Sequence, residues 1–146
     1  MPRERSETVH LWYTAVYEAI QEIPEGRVTS YSHIAKLLGK PERRRQVGIC
    51  LKHLPSQEGS SEYHDGNVPW QRVINAKGEI SPRGPHGATR QAAALRREHV
   101  DVDQDSMGVF SVDFSKYGWF PDILPSEEFD DSDDTENELE DAGVAA

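Results

Sequence analysis

A chain of 146 residues with 36% hydrophobic content and a formal charge of −10 has the length of one domain, and none of its apolar runs is long enough to span a membrane. The first residues, Met-Pro-Arg-Glu-Arg-Ser-Glu, are too polar for a secretory signal. The single cysteine, Cys50, excludes an internal disulfide, and we expect a reducing, intracellular compartment.

The negative charge is concentrated beyond residue 121. Residues 122–146 hold eleven acidic side chains and no Lys or Arg, which leaves 15 acidic against 16 basic residues elsewhere. We therefore predict a folded domain over 1–121 and an acidic, disordered tail over 122–146. Within the domain, residues 36–52 carry six basic side chains and one acidic side chain, and this local excess predicts attraction to an anionic partner.

The first half of the chain has the spacing of short helices. Apolar residues three and four apart predict a helix over 6–23, capped by Ser6 and ended by Pro24-Glu-Gly26. A second helix is predicted from its Ser30 cap to Gly39.

A third helix is predicted to begin at Pro41, because proline is tolerated in the first turn. Its predicted buried residues are Val47, Cys50, Leu51 and Leu54. Three short helices with a basic leading end on the third are typical of a helix-turn-helix, although an ordinary three-helix core with a charged surface has the same pattern.

The second half of the chain mixes loops with shorter elements. Residues 55–68 have loop composition, and residues 71–81 predict a two-stranded hairpin that turns at 76–78. Residues 88–99 have high helix propensity, and the aromatic-rich segment 107–121 is predicted to pack back on the domain.

Three short signatures follow one another along the chain: Gly26-Arg-Val-Thr-Ser-Tyr31, Arg45-Gln-Val-Gly48 and Val68-Pro-Trp-Gln-Arg-Val73. With these motifs the chain resembles the alkyltransferase-like proteins, relatives of the O6-alkylguanine-DNA alkyltransferases, over about residues 8–118. The resemblance implies an α+β, mainly helical fold, namely the winged helix-turn-helix-like DNA-binding domain of the alkyltransferase C-terminal domain type. It implies no cofactor.

The third signature differs from that of the true alkyltransferases, which read Pro-Cys-His-Arg-Val and use the cysteine as alkyl acceptor. Here Trp70 and Gln71 stand in place of the cysteine and its activating histidine. Alkyl acceptance needs a thiolate and a neighbouring base, and an indole nitrogen is only a hydrogen-bond donor. Glu98 matches the carboxylate that orients the histidine, and we expect it to lack that partner. Together these features imply that the protein is not an enzyme.

The resemblance also implies roles for individual side chains. Tyr31 matches the tyrosine that crowds the target nucleotide's phosphate, and Arg45 matches the residue that replaces an extruded base in the stack. Trp70 is expected to line the pocket that receives this base, and Arg83 to contact the purine through a cation–π interaction.

Further residues are assigned to the same interface. Val68 and Pro69 accompany Trp70 at the pocket, and Gly48 lets the third helix approach the minor groove. Nonspecific attraction to the phosphate backbone is assigned to Lys36, Arg43, Arg44 and Lys52.

The resemblance implies a monomeric sensor that binds double-stranded DNA containing O6-alkylguanine, flips the lesion into a pocket and passes it, unrepaired, to nucleotide excision repair proteins. The acidic tail suggests a nuclear location. Two alternatives stay open: residual or unorthodox alkyl transfer, for example by Cys50, and a winged-helix regulator that reads DNA sequence. A metal site built on Cys50, His53 and His64 lacks a fourth ligand at a usual spacing, so no metal is predicted.

Two features depart from the family pattern. The 55–68 loop is longer than the family usually has. The acidic segment is an addition that could compete with DNA for the Arg-rich helix. It contains Ser126-Glu-Glu and Ser132-Asp-Asp, which are either acidic-directed phosphorylation sites or parts of a solvated tail.

Overall fold

The computed structural model describes residues 7–82 and 84–128. In chain order its helices and strands are α1 (Glu7–Gln21), β1 (Thr29–Ser30), α2 (Tyr31–Leu37), α3 (Arg44–Lys52), β2 (Val73–Ile74), α4 (Gly87–Arg97), β3 (Asp103–Gln104), β4 (Phe110–Ser111) and α5 (Phe114–Tyr117). Two 3₁₀ turns, Pro41–Arg43 and Trp70–Arg72, precede α3 and β2. Within the described ranges, the helices are all too short or too polar to cross a membrane.

The first two helices form where their capping residues predict. α1 ends before Pro24, whereas its predicted cap Ser6 lies outside the described residues. The Ser30 hydroxyl accepts a hydrogen bond of 3.1 Å from the His33 backbone N–H, which confirms the cap of α2. Gly39 has a φ of 76° beyond the end of α2, a conformation that glycine adopts at little cost.

The third helix begins with the 3₁₀ turn at Pro41 and continues as α3. Val47, Cys50 and Leu51 are buried as predicted, but Leu54 is only partly buried because α3 has already ended at Lys52. The basic residues 43–45 lie at the leading end of α3, as expected from the sequence.

The predicted hairpin over 71–81 is wrong. β2 pairs in parallel with β1, with Thr29 opposite Val73 and Ser30 opposite Ile74. The turn itself exists, because the Gly78 N–H donates to the Asn75 carbonyl at 3.0 Å. Both residues of β2 are fully buried, so this strand belongs inside the molecule and not on an exposed hairpin.

The β1–β2 pair connects two hydrophobic clusters. The first core cluster lies among α1, α2 and α3 and includes Val73, and the second lies under α4 and the β3–β4 hairpin and includes Ile74. Neighbouring residues of β2 thus pack in different clusters, and this strand joins the α1–α3 part of the domain to the α4 part. Trp70, which precedes β2 in the chain, packs partly against the first cluster.

The aromatic segment 107–121 packs back on the domain, as predicted. Phe110 and Val112 are buried, and the Trp119 N–H donates to the Val28 carbonyl at 2.8 Å. The antiparallel β3–β4 pairing within this region was not predicted, because strands of two residues carry no readable alternation.

The predicted domain boundary between residues 121 and 122 comes too early. Leu124 is 5% exposed and belongs to the first core cluster, and Ser126 is hydrogen-bonded to Glu22. The burial of Leu124 and the contact of Ser126 with Glu22 thus hold this part of the acidic stretch against the domain. The prediction of disorder for residues 129–146, including the Ser132 site, lies outside the described residues.

Candidate nucleic-acid interface

An open groove of about 1290 Å³ lies between α3 and the segment that runs from Trp70 to the start of α4. It brings together residues from all three signatures: Tyr31 from the first, Arg45 and Gly48 from the second, and Trp70 from the third. These positions are far apart in the sequence. The packing of α2 on α3, together with the β1–β2 pair, brings them to the wall of the same groove.

The groove carries more positive than negative side chains. Its cationic lining residues are Arg44, Arg45, Lys52 and Arg90, all exposed, and its carboxylates are Glu42 and Asp65. Arg90 lies in the first half of α4 and was not identified from the sequence, although the predicted 88–99 helix placed it near a helix start. A concave surface with this charge excess attracts a phosphate backbone.

Tyr31 is placed by the α2 cap and faces Gly48 on α3. A Cβ built on Gly48 would lie 3.9 Å from Tyr31 Cε1, an ordinary van der Waals distance. Internal packing therefore accommodates alanine at this position, which would favour the helix by about 0.5–1 kcal/mol over glycine. The fold itself therefore does not require glycine at this position.

Arg45 occupies the second position of α3 and is exposed on the groove side. Among the described residues its guanidinium takes part in no ion pair. A planar cation at the leading end of a helix is thus available for a ligand.

Trp70 begins the 3₁₀ turn after Pro69, and its backbone N–H donates to the Val68 carbonyl at 2.7 Å. One part of the indole packs on the first core cluster while the residue also lines the groove. The assignment of Val68 to the pocket is wrong, because Val68 is 1% exposed and belongs to the core. Pro69 also lies outside the groove wall.

Gln91 fixes the backbone that follows Trp70. It is 1% exposed on α4, and its side-chain amide donates to the carbonyls of Gln71 (3.1 Å) and Val73 (3.0 Å). The sequence signal for this role was a lone carboxamide on the apolar face of the predicted 88–99 helix. A buried amide that satisfies two carbonyls holds the turn in one geometry.

Within the part of the chain that the structure describes, Glu98 has no histidine partner, and its carboxylate is hydrogen-bonded to other groups instead. Its carboxylate accepts hydrogen bonds from the Gln71 amide at 2.6 Å, from Arg72 Nε at 3.0 Å and Nη2 at 2.9 Å, and from the Gly26 N–H at 3.2 Å. The Glu98 and Arg72 side chains are 10% and 15% exposed. The Gln71 amide thus donates to Glu98, and it has no basic nitrogen.

The pKa of Glu98 is set by two opposing effects. Burial raises it, but the hydrogen bonds from Arg72, Gln71 and the Gly26 backbone, together with the charge of Arg72, lower it by more. The net pKa is below the ordinary value of a glutamate. Glu98 is therefore ionised at neutral pH and serves as a structural acceptor for Gln71, Arg72 and the Gly26 backbone.

Cys50 does not belong to the groove. It is 1% exposed in the first core cluster, and the Tyr17 hydroxyl donates to its carbonyl at 2.7 Å. Nor do three or more His, Cys, Asp or Glu side chains converge as a metal site anywhere in the described ranges. The buried position of Cys50 gives no support to relocated alkyl transfer.

The remaining cations divide between the groove and other surfaces. Neither Arg43 nor Lys36 lines the groove. The guanidinium carbon of Arg43 lies 5.2 Å from the Trp12 ring centroid, and Lys36 is exposed on α2. Arg83 lies outside the described residues, while its neighbours Pro82 and Gly84 both line the groove.

The 55–68 loop is folded against α1. The Tyr63 hydroxyl donates to the Glu18 carboxylate, which raises the pKa of Tyr63 to about 12, and the Tyr63 ring packs at 5.7 Å from that of Tyr17. The same loop contributes Asp65 to the groove. The loop therefore places a negative charge beside the cationic wall.

Comparisons with known proteins agree with this geometry. The family model described as "6-O-methylguanine DNA methyltransferase, DNA binding domain" matches residues 11–100. Alkyltransferase-like protein 1 of Schizosaccharomyces pombe is 40% identical over 111 residues, which are 75% of this chain and 95% of the relative. The DNA base-flipping protein of Escherichia coli is 43% identical over 104 residues, 71% of this chain and 70% of the relative.

A solved structure shows the same similarity in three dimensions. The crystal structure of Schizosaccharomyces pombe Atl1 in complex with damaged DNA containing O6-carboxymethylguanine superposes with a TM-score of 0.67 at 41% identity. The match covers 77% of this chain and 97% of that one.

Proposed function

The chain belongs to the alkyltransferase-like family, which shares the 6-O-methylguanine DNA methyltransferase DNA-binding domain, and we propose that it is a DNA-damage sensor. It binds double-stranded DNA containing O6-alkylguanine, extrudes the modified nucleotide and holds it in the groove beside Trp70. The observation that carries this proposal is the meeting of Tyr31, Arg45 and Trp70 in one cationic groove.

Each groove residue has a physical role in this function. The four cationic lining residues attract the phosphate backbone. Gly48 lets α3 approach the minor groove, Arg45 fills the space left by the extruded base, and Tyr31 crowds the phosphate of that nucleotide. Trp70 offers an apolar ring surface on which the extruded base can stack, which offsets part of the cost of unstacking it.

The site binds without chemistry. Trp70 has no thiolate, Gln71 cannot act as a base, and the Glu98 carboxylate already accepts several hydrogen bonds. Cys50 is buried in the first core cluster. We therefore infer that alkyl transfer is absent and that residence of the lesion in the groove is the outcome of binding.

The solved relative supports the ligand, because its structure contains damaged DNA, and the Escherichia coli relative is described as a DNA base-flipping protein. A protein that holds a lesion without changing it contributes to repair only if other proteins then act. We propose nucleotide excision repair proteins as those partners, a monomeric sensor over residues 1–128, and a nuclear location.

Base extrusion is tested with a duplex that carries O6-methylguanine next to 2-aminopurine, whose fluorescence rises when its stacking is disrupted. The native chain is expected to raise this fluorescence, and Arg45→Ala to raise it much less. Lys77→Ala is the matched control, because Lys77 is exposed outside the groove wall. Equal signals from Arg45→Ala and Lys77→Ala would contradict the extrusion mechanism.

Absence of transfer is tested by intact mass spectrometry of the same samples. We expect the protein mass to remain unchanged after incubation with methylated DNA. A gain of one methylene would show that the protein is an alkyl acceptor.

A further inference from the structure

Residues 119–128, called here the docking segment, lie against the helical half of the domain. The Trp119 N–H donates to the Val28 carbonyl at 2.8 Å, and His33 Nε2 donates to the Pro121 carbonyl at 2.7 Å. Leu124 is 5% exposed in the first core cluster. The start of the segment is also held by its aromatic rings, because Trp119 packs on the first core cluster and Phe120 contacts His33 and Phe114, whereas beyond Pro121 the only side chain of the segment in a core cluster is that of Leu124.

Near the end of the segment, Ser126 makes a paired contact with Glu22. The Ser126 N–H donates to Glu22 Oε1 at 3.0 Å, and the Ser126 hydroxyl donates to Glu22 Oε2 at 2.7 Å. Glu22 immediately follows α1, where the helix dipole disfavours a negative charge. The two donors of Ser126 therefore stabilise a carboxylate that is otherwise poorly placed.

We propose that Ser126 is a phosphorylation site whose modification detaches the docking segment from α1. Ser126 is exposed, and it is followed by Glu127 and Glu128, the kind of sequence that a protein kinase selective for acidic residues recognises. The kinase transfers the γ-phosphoryl group of ATP to Ser126 Oγ. The Oγ–H bond and the bond between the γ-phosphorus and the β-bridging oxygen break, an Oγ–P bond forms, the proton passes to the kinase's base, and ADP leaves.

The contact geometry determines the consequence. A phosphate on Oγ removes the donor that binds Glu22 Oε2 and places a charge of about −1.5 to −2 beside the same carboxylate. Like charges at this distance repel, and both hydrogen bonds to Glu22 are lost. Since Leu124 is the only side chain of residues 121–128 in a core cluster, the end of the segment then separates from α1.

The test uses the full chain, a Ser/Thr kinase selective for acidic sites, and Mg-ATP, with the site located by peptide mass spectrometry and Ser126→Ala as control. We expect phosphate on Ser126 and amide hydrogen exchange at residues 126–128 that is faster by at least about tenfold. Ser126→Asp is expected to accelerate exchange in the same way without a kinase.

Glu22→Gln separates charge repulsion from bulk, because glutamine keeps an acceptor for Ser126 but carries no charge. We expect phosphorylation to accelerate exchange distinctly less in Glu22→Gln than in the native chain. The proposal is overturned if Ser126 stays unmodified, if its phosphorylation leaves exchange unchanged, or if both backgrounds respond equally. None of these readouts involves DNA, so failure here is distinguishable from failure of the proposed function.

Discussion

Replacement of Glu98 by alanine tests the network that positions the turn at Trp70. The substitution removes the acceptor for Arg72, Gln71 and the Gly26 N–H. Removal of one partner from a buried ion pair typically costs about 3–5 kcal/mol. Arg72 keeps its hydrogen bond of 2.7 Å to the Ile23 carbonyl and is 15% exposed, so we expect the lower end, about 3 kcal/mol.

The free energy of unfolding that Glu98→Ala loses should decrease as the pH is lowered. The pKa of Glu98 is lowered in the folded state, so its stabilisation is fully present above the unfolded-state value of about 4.3. This stabilisation is lost as the pH falls through the lower pKa that Glu98 has in the folded state. The difference in unfolding free energy between the native chain and Glu98→Ala should therefore be full at neutral pH and should narrow as the pH falls below about 4.

Thermal and urea unfolding at neutral and acidic pH measure both effects. For a domain of this size a loss of about 3 kcal/mol lowers Tm by about 10 °C. Glu25→Ala is the matched control, because Glu25 is exposed in the turn that precedes Gly26. A decrease in Tm no larger than that of Glu25→Ala, or a difference that is the same at both pH values, would refute the proposed role of Glu98.

Three further substitutions address the groove. Gly48→Ala should raise the free energy of unfolding by up to about 1 kcal/mol, since the added Cβ meets only the Tyr31 ring at 3.9 Å. The same substitution should weaken lesion binding. Urea melts measure the first effect and fluorescence anisotropy the second, and unchanged binding would show that Gly48 does not belong to the interface. Arg90→Ala should reduce the slope of log affinity against log salt by about 0.9, and an unchanged slope would show that Arg90 contacts no phosphate. Trp70→Cys should take up no methyl group from O6-methylguanine DNA at a useful rate, because Gln71 supplies no base; rapid adduct formation in the mass spectrum would contradict this.

Local sequence signals predicted the helical half of the fold well. The Ser30 cap and the Gly39 termination each depend on residues within one helical turn of each other, and the structure confirms both. It also confirms the burial of Val47, Cys50 and Leu51 on α3, although not that of Leu54. These features are local, so a sequence pattern is sufficient to locate them.

The errors have a common cause in contacts between distant residues. Val73 and Ile74 pair with β1 and not with a neighbouring strand, and Leu124 is buried although its surroundings are acidic. The candidate site shows the same division. Tyr31, Arg45 and Trp70 were identified by their motifs, whereas Arg90 and Gln91 enter the site only because α4 lies across the groove or behind the turn. Val68 was misassigned because proximity to Trp70 in the sequence does not indicate which way a side chain faces.

The central claim is that this groove distinguishes damaged from undamaged DNA. Fluorescence anisotropy with matched duplexes, identical except for one guanine or O6-methylguanine, measures that preference directly at two salt concentrations. We predict a preference for the lesion of at least about tenfold, or about 1.4 kcal/mol, which persists at the higher salt because base capture does not depend on counterion release. Equal affinities that both collapse with salt would contradict the account and leave only a cationic helix on a phosphate backbone.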